Sequence, residues 1–191
     1  MEYLFVISGV FSALFFLLLV SKKTRNLEHT LLGIIFLLIT VNSIYVFSFH
    51  NQEEFYYVKF FSELNYAIPI LYPPLLWLYA NAITNISFKI EGRQLLHFAP
   101  FLVFFVILIS PLLSSYQLLE SKHVGYPLIK LVITPFYLFA VLKLLSNYRK
   151  RLLDQFAFDQ KIKLFWLTWV TVGAVVLWVL ALSGYIYNNI K

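Results

Sequence analysis

Apolar residues occur in six long stretches separated by short polar segments. The stretches cover residues 3–20, 30–49, 61–84, 95–113, 126–145 and 164–187. A helix needs about 20 apolar residues to cross the hydrocarbon core of a bilayer. Residues 14–20 (LFFLLLV) lack the polar–apolar alternation of an outer-membrane strand. The pattern therefore predicts an all-α, polytopic membrane protein, a bundle of six transmembrane helices with short loops.

The composition excludes several classes of protein. Hydrophobic residues make up 61% of the chain and charged residues only 13%, whereas a soluble domain is about one quarter charged. The chain has no cysteine, which excludes a disulfide scaffold, a cysteine metal site and a thiol nucleophile. The longest polar segment, residues 146–163, is far below the roughly 40 residues that a small domain needs to fold alone. Residues 1–191 are therefore predicted to form a single transmembrane domain.

Positive charge is distributed unevenly among the polar segments. Segments 21–29, 85–94 and 146–163 hold ten Lys and Arg residues, whereas the segments on the opposite side, with the C-terminal end, hold three. Because cytoplasmic loops are enriched in Lys and Arg, the first set is expected in the cytoplasm and both termini outside. The net charge of +6 is thus largely a topology signal and does not indicate nucleic-acid binding. The first stretch lacks a basic start and a small-x-small cleavage site, which predicts a retained helix.

All seven prolines lie within or at the ends of the apolar stretches. Because proline has no N–H, it leaves the carbonyl four residues earlier without its helical donor, and a neighbouring helix or polar side chain must then bind that carbonyl. Pro69, Pro73 and Pro74 fall within six residues and are the candidate hinge. The alternative is that they only kink the helix for packing.

Polar side chains in the outer halves of the stretches form the candidate ligand site. They are Asn42, Glu63, Asn65, Tyr66, Lys130 and Thr134. Such residues are costly in a membrane unless they face a partner or a cavity. Glu63 lies at a depth comparable to that of Lys130, so that the two side chains can pair. One hypothesis is an outward-open pocket. The alternative is that Glu63 and Lys130 reach lipid headgroups, while the other residues hydrogen-bond between helices.

Two small-residue pairs, Ser8-Gly9 and Ser183-Gly184, are predicted to permit close approach of helices. The partners expected for such a chain are the lipid bilayer, an extracytoplasmic ligand or membrane-protein partner, and a second copy of the chain.

Residue patterns that would support catalysis are missing. The four histidines, His29, His50, His97 and His123, show no metal-binding spacing. Ser8 and Ser183 lack the Gly-x-Ser-x-Gly turn of a serine nucleophile. The sequence therefore predicts no enzyme activity, no metal, no cofactor and no bound nucleic acid.

Three motifs resemble a known family. They are residues 71–79 (LYPPLLWLY), residues 95–100 (LLHFAP) and the basic segment from residue 148 (YRKR) to the helix entry at residues 164–167 (LFWL). Together with Lys22-Lys23, they resemble the multi-spanning N-terminal membrane domain of membrane-bound AraC-type helix-turn-helix regulators of Bacteroidetes. Pro73 stands where the family often has glycine, and Ala157 where it often has serine.

The resemblance implies signal reception across the bacterial cytoplasmic membrane, with transcription regulated by a cytoplasmic DNA-binding domain. No helix-turn-helix domain fits within these 191 residues, so the chain is expected to be the sensor part of a longer regulator or a stand-alone relative. The function hypothesis is a transmembrane sensor that receives an extracytoplasmic signal. The alternative is a small integral subunit of a transport or secretion complex, or a small transporter.

Overall fold

The computed structural model describes residues 2–22, 26–50, 64–65, 67–85, 87–113, 122–155 and 164–190. Every element within these ranges is helical, which confirms the all-α prediction for the described part of the chain. The α-helices are α1 (Glu2–Val20), α2 (Leu27–His50), α3 (Tyr72–Thr84), α4 (Gly92–Leu95), α5 (Ala99–Leu113), α6 (Lys122–Gln155) and α7 (Phe165–Ile190). Two 3₁₀ turns, Ile68–Ile70 and Leu96–Phe98, precede α3 and α5.

Four of the described helices, α1, α2, α6 and α7, are long and apolar enough to cross a membrane. The other two predicted spans are divided into shorter pieces. In the third, the 3₁₀ turn Ile68–Ile70 precedes the 13 residues of α3, and in the fourth, α4 and a 3₁₀ turn precede the 15 residues of α5. Four of the six predicted spans therefore have the length and composition of a membrane helix in the described residues.

Helix α6 extends well beyond its predicted span. It has 34 residues and continues to Gln155, whereas the apolar stretch ends at residue 145. At a rise of 1.5 Å per residue it is about 51 Å long, against a hydrocarbon core of about 30 Å. Residues 146–155, which the sequence placed in a connecting segment, are thus helical and carry Arg149, Lys150 and Arg151.

The chain packs as two compact units. Unit 1 comprises Met1–Leu75 with Lys89–Glu120, and unit 2 comprises Leu76–Phe88 with Ser121–Lys191. Unit 1 contains α1, α2, α4 and α5, and unit 2 contains α6 and α7, while α3 begins in unit 1 and continues in unit 2. The single domain over residues 1–191 stays a prediction.

In unit 1, α1 and α2 pack as an antiparallel pair. Ser43 on α2 faces Gly9 on α1, where a Cβ would lie only 3.1 Å from the Cβ of Ser43. Further along, Thr40 Oγ1 donates a hydrogen bond of 3.0 Å to Ser12 Oγ. Near the connection, Gly33 packs against Phe16 and Leu19, at 3.8 and 3.9 Å from the position its Cβ would take. Contacts at positions 9, 12, 16 and 19 of α1 lie on one helical face, which is the buried face of this pair.

In unit 2, α6 packs against α7. The buried residues of α6 are Leu138, Val141 and Leu145, which recur at the spacing of three and four that defines one helical face. On α7, Leu167 and Thr171 are almost fully buried. Each of the two helices therefore has a single buried stripe.

The rest of each long helix is apolar and exposed. Phe136 and Phe139 on α6 are 71% and 70% exposed, and Leu177 on α7 is 69% exposed. Soluble proteins rarely leave contiguous apolar surface of this kind open to water. The exposed surface is typical of helices that face lipid.

Candidate functional site

The proline-rich segment before α3 remains helical through its prolines. Ala67 and Leu71, on either side of the 3₁₀ turn Ile68–Ile70, both have right-handed helical backbone angles. Pro69 is the second residue of that turn. Pro73 and Pro74 occupy the first turn of α3, where a backbone N–H has no intrahelical acceptor. The prolines thus start helical turns here, and their role as a hinge stays a prediction.

Asn65 lies just before this turn, and the oxygen of its side-chain amide is buried. Its Oδ1 atom is buried and accepts no hydrogen bond in the structure. The residues that follow, Ala67, Ile68 and Ile70, are all buried at 3% exposure or less. A buried acceptor without a donor is costly, because it has lost its water partner and gained nothing in return. Among the predicted ligand-binding residues that the structure describes, Asn65 therefore has the strongest chemical reason to bind a ligand.

The other predicted ligand-binding residues are divided between the two units. Asn42 is half-buried on α2 in unit 1, next to Ser43 in the α1–α2 interface. Lys130 is exposed on α6 in unit 2, and Thr134 is half-buried one turn later. Glu63 and Tyr66 lie outside the described residues, so the pairing of Glu63 with Lys130 stays a prediction.

Helix α6 contains the proline whose consequences the structure shows most fully. Pro135 cannot donate to the carbonyl of Leu131 four residues earlier. The indole Nε1–H of Trp178 on α7 donates a hydrogen bond of 3.0 Å to that carbonyl. The expectation that a neighbouring helix satisfies a carbonyl freed by proline is confirmed at this position.

Sequence reasoning did not identify Trp178. Tryptophan in an apolar helix is common at membrane interfaces and in cores, and nothing in the local sequence marks this one as a donor. The sequence does indicate that Pro135 leaves a carbonyl in mid-helix without its main-chain donor, and that a donor on another helix is needed to hydrogen-bond it.

Within the described ranges, no three His, Asp or Glu residues come together in a way that would hold a metal ion. His29 in the first turn of α2 contacts Lys22, with 3.4 Å between Nε2 and Nζ. This contact lies where α1 leads into α2.

Comparison of the chain with protein-family models, with curated proteins and with solved structures found no match.

Proposed function

We propose that this chain is a transmembrane sensor of the bacterial cytoplasmic membrane, with the fold and signalling role implied by its resemblance to the membrane domain of AraC-type regulators. In this proposal six helices cross the bilayer, the N-terminus lies outside and the basic segments lie in the cytoplasm. The four long apolar helices and the ten-to-three division of Lys and Arg support it.

The observation that carries the proposal is the buried, unpaired Oδ1 of Asn65 beside the turn that contains Pro69. A ligand or partner with an N–H or O–H donor would satisfy this oxygen. An acceptor without a hydrogen bond in an apolar environment raises the free energy of the protein. The binding of such a donor would therefore favour the helix arrangement in which the donor can contact Asn65 Oδ1. A ligand shifts a conformational equilibrium only by this kind of difference in affinity between two arrangements.

The continuous helix α6 supports a route for the signal to the cytoplasm. From Pro135 it runs as one helix to the exposed basic residues Arg149, Lys150 and Arg151. A rigid helix transmits a change of tilt along its whole length, whereas a flexible loop would absorb it. The basic end of α6 is therefore the part of this chain proposed to report the signal.

The role of Asn65 is tested by its effect on stability without ligand. Because Oδ1 makes no hydrogen bond, Asn65→Leu removes a desolvated polar atom and is expected to leave Tm unchanged or to raise it. The matched control is Asn81→Leu, which loses the 2.8 Å hydrogen bond from Asn81 Nδ2 to the carbonyl of Trp77 and is expected to lower Tm. Thermal unfolding of the purified chain in detergent micelles compares the two variants. A loss of Tm in Asn65→Leu as large as in Asn81→Leu would mean that the amide is structural, and the ligand site would have to be abandoned.

The six-span topology is tested by cysteine labelling, since the natural chain has no cysteine to interfere. Single cysteines at Lys22 and Lys89 are expected to be protected from a membrane-impermeant maleimide in intact cells, while one at Lys122 is expected to react. Reaction of the first two, or protection of the third, contradicts the proposed orientation.

The alternative function, a transport subunit or small transporter, predicts different behaviour. An antibody against residues 146–163 identifies the native protein in its own membranes. A species well above 22.4 kDa supports a sensor within a longer regulator, and a species at 22.4 kDa favours the alternative. Uptake driven by an ion gradient in reconstituted vesicles would then establish transport, whereas a protein that binds without uptake remains a sensor.

A further inference from the structure

Helix α6 has a defect in its hydrogen bonding at its middle, and α7 fills it. Pro135 leaves the Leu131 carbonyl without a main-chain donor, and Trp178 Nε1–H takes that donor's place at 3.0 Å. Around Pro135 the helix therefore lacks one main-chain hydrogen bond. The hydrogen bonding of α6 at this point is therefore completed by a side chain that belongs to another helix.

The surroundings make the Trp178 bond hard to replace. Trp178 is half-buried, and Phe136 and Phe139 beside the proline are exposed apolar side chains. In hydrocarbon no water is present to hydrogen-bond a free carbonyl. Loss of the indole donor leaves this carbonyl without the hydrogen bond that the structure shows, which favours a change in the geometry of α6 at Pro135.

We propose that the hydrogen bond from Trp178 to the Leu131 carbonyl is a latch that fixes the angle between the parts of α6 before and after Pro135, and that its release lets the following part of α6 move against α7. The latch lies wholly within unit 2. It does not depend on a ligand at Asn65, but it rests on the proposed placement of α6 and α7 in the bilayer.

The part of α6 beyond Pro135 is built to carry such a movement. It continues as one helix to Gln155, which is about 30 Å at 1.5 Å per residue. Its first turns bury Leu138, Val141 and Leu145, and its end exposes Arg149 and Lys150. The displacement caused by a change of angle at Pro135 grows with distance from the proline. It is therefore smallest at Leu138 and largest at the end of the helix, near Arg149 and Lys150.

The test is a double-mutant cycle on the full chain, with a distance as its readout. Spin labels on the exposed positions Asn147→Cys of α6 and Val170→Cys of α7 report the separation of the two helices by pulsed electron resonance in lipid nanodiscs. Trp178→Phe removes the donor and keeps an aromatic ring. Pro135→Ala restores a main-chain N–H that donates to the Leu131 carbonyl and makes the indole unnecessary.

Trp178→Phe is expected to shift the distance or add a second population, and the same substitution in the Pro135→Ala background is expected to change nothing. Trp169→Phe, on the exposed face of the same helix, is the matched control and should leave the distance as it was. No shift in Trp178→Phe overturns the latch. An equal shift in both backgrounds also overturns it, because Trp178 would then act by packing and not by its hydrogen bond.

A second readout follows the hydrogen bond itself. The indole ¹H–¹⁵N resonance of Trp178, assigned by its loss in Trp178→Phe, is expected to exchange slowly with deuterium in the natural chain. In Pro135→Ala the exchange should accelerate, because the backbone N–H competes for the same carbonyl. Unchanged exchange in Pro135→Ala would show that the proline does not create the bond, and the proposal would fail even if that variant folds normally.

Discussion

The two helix pairs, α1–α2 in unit 1 and α6–α7 in unit 2, are held together in different ways. In α1–α2 a glycine lets the backbones approach until a Cβ at Gly9 would lie 3.1 Å from Ser43, and hydroxyl groups bond across the contact. In α6–α7 a large side chain, Trp178, reaches across to a carbonyl that Pro135 has freed. Gly173 and Gly184 on α7 meet no atom within 4 Å in the described part of the chain.

The difference shows two answers to one physical problem. In the bilayer that we propose for this chain there is little hydrophobic driving force between helices, so van der Waals packing and hydrogen bonds have to hold them. Helices α1 and α2 contain no proline, so their backbone hydrogen bonds are not interrupted, and the pair uses small residues for close packing. In the α6–α7 pair the acceptor is a backbone carbonyl, that of Leu131, which has lost its helical donor because of Pro135. The first arrangement is sensitive to side-chain volume, and the second is sensitive to the loss of one donor.

The largest effect is expected from added volume at Gly9. Gly9→Leu places a branched side chain where even a Cβ is crowded by Ser43, so the free energy of unfolding should fall by about 2–3 kcal/mol. Gly184→Leu, at an open position of α7, is the matched control and should be nearly neutral. Equilibrium unfolding of the purified chain in mixed micelles measures both. Equal losses in the two variants would show that glycine has no special role in α1–α2.

Removal of the indole donor is expected to cost about 1–2 kcal/mol of unfolding free energy, because Trp178→Phe leaves the Leu131 carbonyl unpaired in an apolar environment. Most of this loss should disappear in the Pro135→Ala background, where the helix supplies its own donor. The same unfolding measurement applies, with Trp169→Phe as the control. A loss that persists in the Pro135→Ala background contradicts the mechanism assigned to unit 2.

A smaller effect is expected for the hydroxyl contact of unit 1. Thr40→Val keeps the shape of the side chain and removes a hydroxyl that donates to Ser12 Oγ at 3.0 Å and to the Phe36 carbonyl of its own helix at 2.9 Å. The loss of the bond between the helices is expected to cost about 0.6 kcal/mol. Ser183→Ala removes an exposed bond to the Val179 carbonyl of its own helix and should cost less. If Ser183→Ala costs more in micelle unfolding, close packing alone holds α1–α2.

The smallest effect is expected at the open glycine of α7. Gly173→Ala adds a methyl group that meets nothing within 4 Å in the described residues, so the unfolding free energy should change by no more than about 0.5 kcal/mol. A clear loss of stability would reveal that this face is covered by a partner, such as a second copy of the chain. The oligomeric mass in micelles, measured by light scattering for Gly173→Ala and the natural chain, separates that outcome from a local effect.

Part of this architecture was predictable from the residues themselves. The runs of apolar residues predicted the helices α1, α2, α6 and α7, because length and hydrophobicity alone decide whether a helix can cross a bilayer. The close approach at Ser8-Gly9 was also predicted and is confirmed by the contact with Ser43. The similar pair Ser183-Gly184 has no such neighbour in the described part, since a small residue permits an approach but does not supply the partner.

The candidate site was less predictable. The sequence selected Asn65 because polar residues are rare in apolar stretches, but the same criterion selected Lys130, which is exposed. Only the structure distinguishes a polar atom that is buried and unpaired from one that reaches the surface. That distinction depends on the neighbours that the fold brings to each residue.

The sequence by itself determined the helical class, the apolar spans and the position of the broken main-chain bond at Pro135, because hydropathy, helix length and the missing proline N–H are properties of consecutive residues. The tertiary structure alone decided that Trp178, 47 residues after Leu131, provides the missing donor. It also decided that helix α6 continues to Gln155. A hydrogen bond between distant residues depends on how two helices are rotated and placed against each other, and no local pattern encodes that placement.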